Sequence, residues 1–243
     1  MSSLHKPILH QYQVSPFAAK VRRCLYYKGI PFDTVNYGLS GVRKIKKINP
    51  RAKAPFMVHD GLMIPDSTDI IVYLEKTYPE KRLIPADARL SAQASIIEDW
   101  ADESLYFFDL TMRSWPNNSA LLVEDLLLED KGMMRKLFQP LIPRIIARQA
   151  HGQGMGRKDR DSVCREIEGH FQSIDTLVQE SAWLVGDHLS VADIAVASMC
   201  TVLDRAEEAQ RLMARAPALL EWRERVDALT LPQGTPADQR ALV

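Results

Sequence analysis

Ser15 and Pro16 join a short apolar stretch, Ile8 to Tyr12, to an amphipathic stretch that follows at once. Serine is favoured at a helix N-cap and proline at the first helical position, so the pair predicts a strand that passes directly into a helix. The first N–H groups of such a helix are unpaired and favour an anion. Ser15 is then either a plain cap, which the local sequence favours, or a hydroxyl that donates a hydrogen bond to a bound thiolate and lowers its pKa.

The segment Lys53-Ala54-Pro55-Phe56 places a proline at the start of a predicted strand. Proline removes a donor from a sheet ladder, so it marks either an edge or turn position or a cis bond that turns the preceding backbone outward. In the second case the backbone of Ala54 could pair with a peptide-like ligand as a short added strand. The spacing leaves both interpretations open, and we predict a cis Ala54–Pro55 bond.

Asp66 and Ser67 open a second helix. They are either a plain cap or a polar clamp. In a clamp, backbone N–H groups and the Ser67 hydroxyl hold a carboxylate while Asp66 holds an ammonium. An α-amino acid head group carries both charges.

The first third of the chain mixes strand and helix signals. Apolar alternation predicts strands over 8–12, 32–37, 55–59 and 62–64, and His59-Asp60-Gly61 predicts a hairpin turn between the last two. Helices are predicted over 16–28, ended by Gly29, and from Asp66 to Pro79. The predicted order is β-α-β followed by β-β-α.

The pattern becomes purely helical after Pro85. Apolar residues recur every three or four positions from 90 to 112 and predict one long helix that ends near Trp115. Further helices are predicted over roughly 120–150, 160–180, 190–209 and 217–229, and the tail after Leu231 is expected to be mobile. The fold class is therefore α/β followed by all-α, with an N-terminal domain over residues 1–82 and an all-helical domain over residues 88–243.

Composition and charge argue against several functions. The 31 basic residues balance the 31 acidic ones, so no net field draws the chain to nucleic acid or to a membrane. No apolar run approaches a membrane span, and the N-terminus lacks the apolar core of a secretory leader. Cys24, Cys164 and Cys200 are widely spaced, which indicates reduced thiols in a cytoplasmic protein. No Cys/His cluster has zinc spacing, so no metal is expected.

Several motifs occur in an order that is itself informative. They are Tyr12-x-x-Ser15-Pro16-Phe17, Asn49-Pro50-x-x-Lys53-Ala54-Pro55, Asp66-Ser67-Thr68-Asp69-Ile70, and the stretch Leu184 to Ile194, where Ser190 and Asp193 predict a capping box. Over roughly residues 7–230 the chain resembles the cytosolic glutathione transferase family, in particular serine-type members like those of bacteria. The resemblance implies a thioredoxin-like N-terminal domain, a helical C-terminal domain and a homodimer.

The resemblance also implies glutathione as cosubstrate and a detoxifying conjugation to a hydrophobic electrophile. Ser15 would stabilise the glutathione thiolate without being a nucleophile itself. Serine in place of cysteine argues against disulfide exchange. The Ser-Ser-Cys start of zeta-type isomerases is absent, which disfavours maleylacetoacetate isomerisation.

Within that resemblance, the glutathione clamps fall on five residues. Lys53 would meet the glycine carboxylate, and Ala54 with Pro55 would meet the cysteinyl backbone. Asp66 and Ser67 would hold the γ-glutamyl group. Many relatives carry Glu-Ser in place of Asp66-Ser67, so the shorter side chain is expected to weaken this contact.

The electrophile pocket is expected between the domains. Its predicted lining is Phe17 together with Tyr106, Phe107, Arg113 and Trp115 on the long helix. Arg113 would favour an anionic or polarised electrophile. The alternative is that these side chains form core or dimer contacts, as aromatics on long helices usually do.

The glycine-rich stretch 151–158 invites a nucleotide-binding interpretation. It follows a helical pattern and lacks Gly-Lys-Ser/Thr, so we predict a flexible interhelical loop instead. A similar stretch occurs in a divergent, metaxin-like branch of the superfamily that includes non-catalytic members. A binding or scaffold protein with little turnover is therefore the second hypothesis.

Overall fold

The computed structural model describes residues 5–243, apart from the side chain of Asp238. Residues 1–4, part of the segment on which the absence of a leader was predicted, lie outside it. A four-stranded sheet has the order β2-β1-β3-β4. β1 pairs parallel with β2 and antiparallel with β3, which pairs antiparallel with β4. All four predicted strands are confirmed, as β1 (Ile8–Gln11), β2 (Asp33–Asn36), β3 (Phe56–His59) and β4 (Leu62–Ile64).

Helix α1 (Pro16–Lys28) follows β1 with little intervening chain. Ser15 is its N-cap, and the Ser15 N–H donates to the Tyr12 carbonyl at 3.0 Å, which closes a tight turn between strand and helix. Gly29 ends the helix with a φ of 71°, a left-handed conformation that glycine adopts without strain. Both predicted boundaries of this helix are confirmed.

The β3–β4 hairpin is also confirmed. Asp60 and Gly61 have positive φ values of 48° and 79°, as a type I′ turn requires. Helix α3 (Ser67–Thr77) begins shortly after β4. Its N-cap is Asp66, whose carboxylate accepts from the Thr68 N–H at 3.1 Å.

Helix α2 (Val42–Ile48), which follows a 3-10 turn at Leu39–Gly41, is absent from the sequence prediction. It is short, and Ile45 is its buried residue. Gly41 stands before it and offers no capping side chain. Neither periodicity nor a cap therefore marks this helix in the sequence.

The predicted long helix is confirmed, with an irregularity. It runs from α4 (Ala88–Trp100) through a π-helical segment (Ala101–Leu105) into α5 (Tyr106–Arg113). Asp87 caps it by accepting from two backbone N–H groups at 3.0 and 2.9 Å. Such π-helical turns are rare inside α-helices and are frequent at functional sites.

Helix α10 (Val191–Leu203) is buried along its whole length and packs against α1, the long helix and α12 (Pro217–Thr230). The helical patterns predicted over 120–150 and 190–209 are confirmed, but each range is divided into separate helices. Gly132, with a φ of 57°, interrupts the first range, and a turn before Glu207 interrupts the second. The helices are α6 (Ser119–Leu126), α7 (Gly132–Phe138), α8 (Ile142–Gln153), α9 (Arg160–Gln179), α10 (Val191–Leu203), α11 (Glu207–Met213) and α12 (Pro217–Thr230).

The tail after Leu231 is docked rather than free, which corrects the expectation of mobility. Ala241 is only 5% exposed. Its carbonyl accepts from the buried guanidinium of Arg22 at 3.2 Å, and the Leu242 carbonyl accepts from the Gln13 side chain at 2.9 Å. The tail therefore packs behind the turn that carries Ser15.

Arg23, the neighbour of Arg22 on α1, is fully buried against the helical part of the chain. Its guanidinium donates to the Asp227 carboxylate at 2.6 Å and to the Thr230 hydroxyl at 2.8 Å. Since both partners lie on α12, this pair fastens α1 to the last long helix.

Candidate functional site

Three segments meet at one edge of the sheet. Because His10 pairs with Phe56 and Met57 pairs with Ile64, the end of β1, the start of β3 and the end of β4 lie side by side. The chain continues from these three points into the segments singled out above. The predicted glutathione-site residues found at this edge are Ser15, Lys53, Ala54, Pro55, Asp66 and Ser67.

Ser15 is half-buried at the N-terminus of α1. Its Oγ accepts a long hydrogen bond, 3.4 Å, from the Ala18 N–H. This bond uses a lone pair and leaves the hydroxyl proton free to donate. The capping role is therefore compatible with donation to an anion in front of the helix.

Asn49 holds the segments that carry Lys53 and Asp66 through hydrogen bonds from its side chain. It is fully buried, and its amide nitrogen donates to the carbonyls of Lys53 at 2.9 Å and Pro65 at 3.1 Å. One side chain thus fixes the backbone beside Lys53 and the backbone just before Asp66. The Ala54–Pro55 bond between these segments is cis, as predicted.

The start of α3 connects to a buried ionic cluster. Ser67 is 5% exposed, and the Thr68 hydroxyl donates to the Glu98 carboxylate at 2.9 Å. The same carboxylate accepts from the ammonium of Lys20 at 2.8 Å, and Lys20 also pairs with Asp102 in the π-helical segment. Lys20 therefore ties α1, the start of α3 and the long helix together at one point.

Burial and charge oppose each other in this cluster. Burial raises the pKa of Asp102 to about 6, helped by the charges of Glu98 and Asp66 and opposed by Lys20. Burial alone would lower the pKa of Lys20, but the two carboxylates outweigh it and raise that pKa. Lys20 is therefore charged, and the Asp102 carboxyl takes up a proton at a higher pH than an exposed aspartate does.

The sequence contains a signal for this cluster that was not among the predictions above: charged residues on the apolar faces of two helices. Lys20 stands on the apolar stripe of α1, three residues after Phe17 and four before Cys24. Glu98 and Asp102 likewise interrupt the apolar stripe of the long helix at i and i+4. Charges on buried faces need partners, so a lysine on one stripe and two acids on another predict an ion pair between the helices.

Three of the aromatic side chains predicted to line the electrophile pocket lie next to one another. The rings of Phe17 and Tyr106 meet edge to face with centroids 4.9 Å apart, which joins α1 to α5 beside Ser15. Phe107 packs against Tyr106 in turn, at 5.4 Å. Burial raises the pKa of Tyr106 to about 12, so its hydroxyl stays neutral. This aromatic group remains a candidate wall for an apolar ligand.

The expectation that Arg113 offers a cation to a substrate is wrong. The side chain is 4% exposed and pairs with the carboxylates of Asp125 and Asp109. A guanidinium neutralised by two buried acids is not available to a ligand. One face of the Trp115 ring is covered, since the central carbon of the Arg160 guanidinium lies 4.6 Å from the ring centroid.

Two family models match the chain. A model of the glutathione S-transferase N-terminal domain matches residues 9–82, and a model of the glutathione S-transferase C-terminal domain matches residues 147–225. Together they cover more than half of the sequence.

The chain belongs to the glutathione S-transferase family. This family uses glutathione, and the fold combines a thioredoxin-like domain with a helical domain as the resemblance implied.

Two relatives match nearly the whole glutathione S-transferase chain. The isoprene-epoxide glutathione S-transferase of Rhodococcus sp. (strain AD45) is 24% identical over 225 residues, 88% of this chain and 91% of that protein. Protein LigF of Sphingobium sp. is 25% identical over 84% of this chain and 82% of its own. The crystal structure of LigF, described as a beta-etherase, superposes with a TM-score of 0.70 at 23% identity and covers 98% of both chains.

A third match is confined to one region. A probable maleylacetoacetate isomerase of Caenorhabditis elegans is 38% identical over 98 residues, which are 39% of this chain and less than half, 46%, of that protein. These relatives support a glutathione-dependent enzyme at the level of the family.

The family's buried helix start in the second domain is present. Ser190 and Asp193 form the predicted capping box at the start of α10. The Asp193 carboxylate also accepts from the Leu184 N–H at 2.8 Å and from the Trp222 indole at 2.9 Å. This block anchors α10 and takes no part in the sheet-edge site.

The glycine-rich stretch 151–158 was predicted as a flexible interhelical loop, but its first three residues end α8 and the rest form a compact turn before α9. A side chain at Gly156 would lie 2.7 Å from the His151 nitrogen, so the chain packs closely on itself there. The Arg157 side chain folds back onto the carbonyls of His151 and Gly152. Over residues 5–243, no cluster of three metal-ligating side chains and no helix able to span a membrane is found.

Proposed function

We propose that this protein binds reduced glutathione at the sheet edge and bonds the glutathione sulfur to a carbon atom of an electrophile. Lys53 and the Ala54 backbone hold the glycine and cysteinyl parts, and Asp66 with Ser67 holds the γ-glutamyl group. The aromatic pair Phe17–Tyr106 forms one wall for the electrophile.

The observation that carries this proposal is the position of the Ser15 hydroxyl. It sits at the N-terminus of α1, where unpaired N–H groups favour an anion, and its proton is free to donate. A hydrogen bond to the charged form of a thiol lowers the thiol pKa. The site thereby favours the thiolate, which is the nucleophilic form of glutathione.

The electrophile is uncharged and apolar in this proposal. Arg113, the cation expected to steer an anionic substrate, is neutralised by Asp109 and Asp125. Ring opening of an epoxide and cleavage of an ether both suit such a pocket, and two relatives that match most of the chain bear names of these kinds. Each reaction ends with sulfur bonded to carbon and a proton on the released oxygen.

The test is the variant Ser15→Ala, assayed for glutathione affinity by calorimetry and for thiol pKa by ultraviolet thiolate absorbance. We expect affinity to stay near that of the wild type, because the clamps lie elsewhere. The thiol pKa should rise, and turnover should fall roughly tenfold to a thousandfold, the effect of losing one hydrogen bond to an anion. Ser15→Thr is the matched control that keeps the hydroxyl.

Two outcomes would decide against parts of this proposal. Wild-type turnover and thiol pKa in Ser15→Ala would reduce Ser15 to a helix cap. Glutathione binding by the wild type without turnover of a halonitrobenzene, an epoxide or an aryl ether would favour the binding or scaffold function instead.

We further propose that the protein is cytoplasmic and forms a homodimer. Within each chain, the boundary between the two domains lies between residues 82 and 88. Ile96, 70% exposed on the long helix, supports an additional apolar contact. Sedimentation velocity should give twice the 27.5 kDa chain mass. Ile96→Glu should shift the protein towards monomer, and a monomeric wild type would contradict the proposed assembly.

A further inference from the structure

Asp130 lies in the helical part of the chain, and its side chain contacts the domain that contains the sheet. It lies between α6 and α7, far in sequence from the proposed site, and is only 2% exposed. Its carboxylate accepts from the backbone N–H groups of Leu39 at 2.6 Å and Ser40 at 3.1 Å. These are the first N–H groups of the 3-10 turn that leads into α2.

This contact replaces a cap that the local sequence lacks. Gly38 precedes the turn and has no side chain to accept those N–H groups, and Gly41 gives α2 no capping side chain either. An acidic group at the start of a helical segment satisfies unpaired donors and complements the dipole. Asp130 is therefore a cap supplied from 90 residues away in the sequence.

The approach of the two segments is close enough to require a glycine. A Cβ at Gly38 would lie 2.5 to 2.7 Å from the carboxyl atoms of Asp130. The side chain of Leu39 packs against a small hydrophobic cluster formed mainly by α6 and α8, and this contact also holds the turn in place. Charge, shape and apolar contact thus converge on one short stretch of chain.

The far end of α2 leads into the proposed glutathione clamp. Asn49 follows α2 directly and fixes the carbonyls of Lys53 and Pro65. A restraint at the start of α2 is therefore passed to the segments that carry Lys53 and Asp66.

We propose that Asp130 is a positioning residue that caps the Leu39–Gly41 turn and so holds α2 and the glutathione clamp in their binding arrangement. The proposal rests on the proposed function, because the clamp belongs to it. Asp130 touches no ligand in this account. It acts on the affinity for glutathione and not on the chemical step.

The experiment compares Asp130→Ala, Gly38→Ala and the double variant with the wild type. Glu129→Ala, an exposed neighbour, is the matched control. Gly38 has a φ of −87°, which alanine adopts readily, so Gly38→Ala displaces the Asp130 carboxylate without straining the backbone. The measurements are the glutathione Kd, the KM and kcat for conjugation, and hydrogen exchange over residues 42–48.

We expect each single variant to raise the glutathione Kd and KM roughly threefold to thirtyfold, the factor that corresponds to loss of a helix cap. kcat at saturating glutathione should stay within about twofold, and exchange over 42–48 should accelerate. In the double variant the effects should not add, because both substitutions break the same contact. The Glu129→Ala control should match the wild type.

Wild-type Kd and wild-type exchange over 42–48 in both single variants would overturn the proposal. A fall in kcat with unchanged KM would also overturn it, since that pattern indicates loss of folded enzyme and not a looser clamp. If Asp130→Ala fails to fold, Asp130→Asn and Gly38→Ala give the same comparison. If the wild type binds no glutathione, the proposed function fails, while the exchange measurement still decides whether Asp130 holds α2.

Discussion

Lys20→Met is the perturbation for which the structure predicts the largest effect. The side chain is 1% exposed and its ammonium bonds both Glu98 and Asp102, whose side chains are 9% and 14% exposed. Methionine fills a similar volume, so little packing is lost. What is lost is the positive charge between two buried carboxylates.

Removing one partner of a buried ion pair leaves an uncompensated charge and costs about 3–5 kcal/mol. Here two carboxylates lose the same partner and also repel each other, so we expect the upper part of that range near pH 7.5. A protein of this size has a total stability of about 5–15 kcal/mol. The variant should therefore be folded but close to its limit.

The loss depends on pH with a definite sign. In the variant the folded-state pKa of Asp102 lies above its unfolded value of about 4, because burial already raises this pKa to about 6 with Lys20 in place. The folded variant then binds more protons than the unfolded chain, and its free energy of unfolding falls as the pH rises through this window. Stability should recover by several kcal/mol between about pH 7.5 and about pH 5.

Urea unfolding followed by circular dichroism at both pH values measures this dependence. The matched control is the triple variant Lys20→Met, Glu98→Gln, Asp102→Asn, which has the same shape without charge. We expect it to regain most of the loss at pH 7.5, since a neutral cluster leaves no unpaired buried ion. A loss below about 1 kcal/mol in Lys20→Met, or a triple variant no more stable than the single one, would refute the reasoning.

Two further predictions concern other buried charges. Burial raises the pKa of Asp109 to about 6, so Asp109→Asn should stabilise the protein by roughly 1–3 kcal/mol at about pH 7.5. That gain should shrink towards about pH 4.5 in urea unfolding, and a gain independent of pH would contradict the assignment. Deleting residues 236–243 removes acceptors of Arg22 and Gln13. The free energy of unfolding should therefore fall by about 1–3 kcal/mol, and the urea midpoint should fall with it. An unchanged midpoint, with Gln233→Ala as control, would show that the docked tail contributes nothing.

Features encoded by neighbouring residues were predictable from the sequence. The Asp60-Gly61 turn, the Ser190 capping box and the Ser15-Pro16 helix start each depend on two to four adjacent residues. Their chemistry is local, because a positive φ or an unpaired N–H is satisfied within the same few residues. Fold class followed from these signals and from the change of periodicity after Pro85.

Features that depend on distant partners were not predictable in the same way. Arg113 has the right type and position for a substrate-binding cation, but its charge is cancelled by Asp125, which the chain brings back through α6. The cap on the Leu39 turn comes from Asp130, so no capping signal stands beside α2. In both cases the decisive group is identified only by its three-dimensional neighbours.

The cluster around Lys20 lies between these two cases. Charges on the apolar stripes of two helices show that partners are needed, yet they do not say which stripes meet. The structure supplies that pairing and adds Thr68, which links the cluster to the start of α3.

The buried cations of α1 also limit how members of this family can exchange parts. Lys20, Arg22 and Arg23 belong to the segment matched by the N-terminal family model, but each bonds a group beyond residue 87. A chimera that takes its first 82 residues from this chain would keep Lys20 and Arg23, but a second parent without acids at the positions of Glu98 and Asp227 would leave both cations buried and unpaired. We therefore expect recombination at the apparent domain boundary to give a stable protein only when both parents have these acceptors, or when α1 and the helices it contacts come from the same parent.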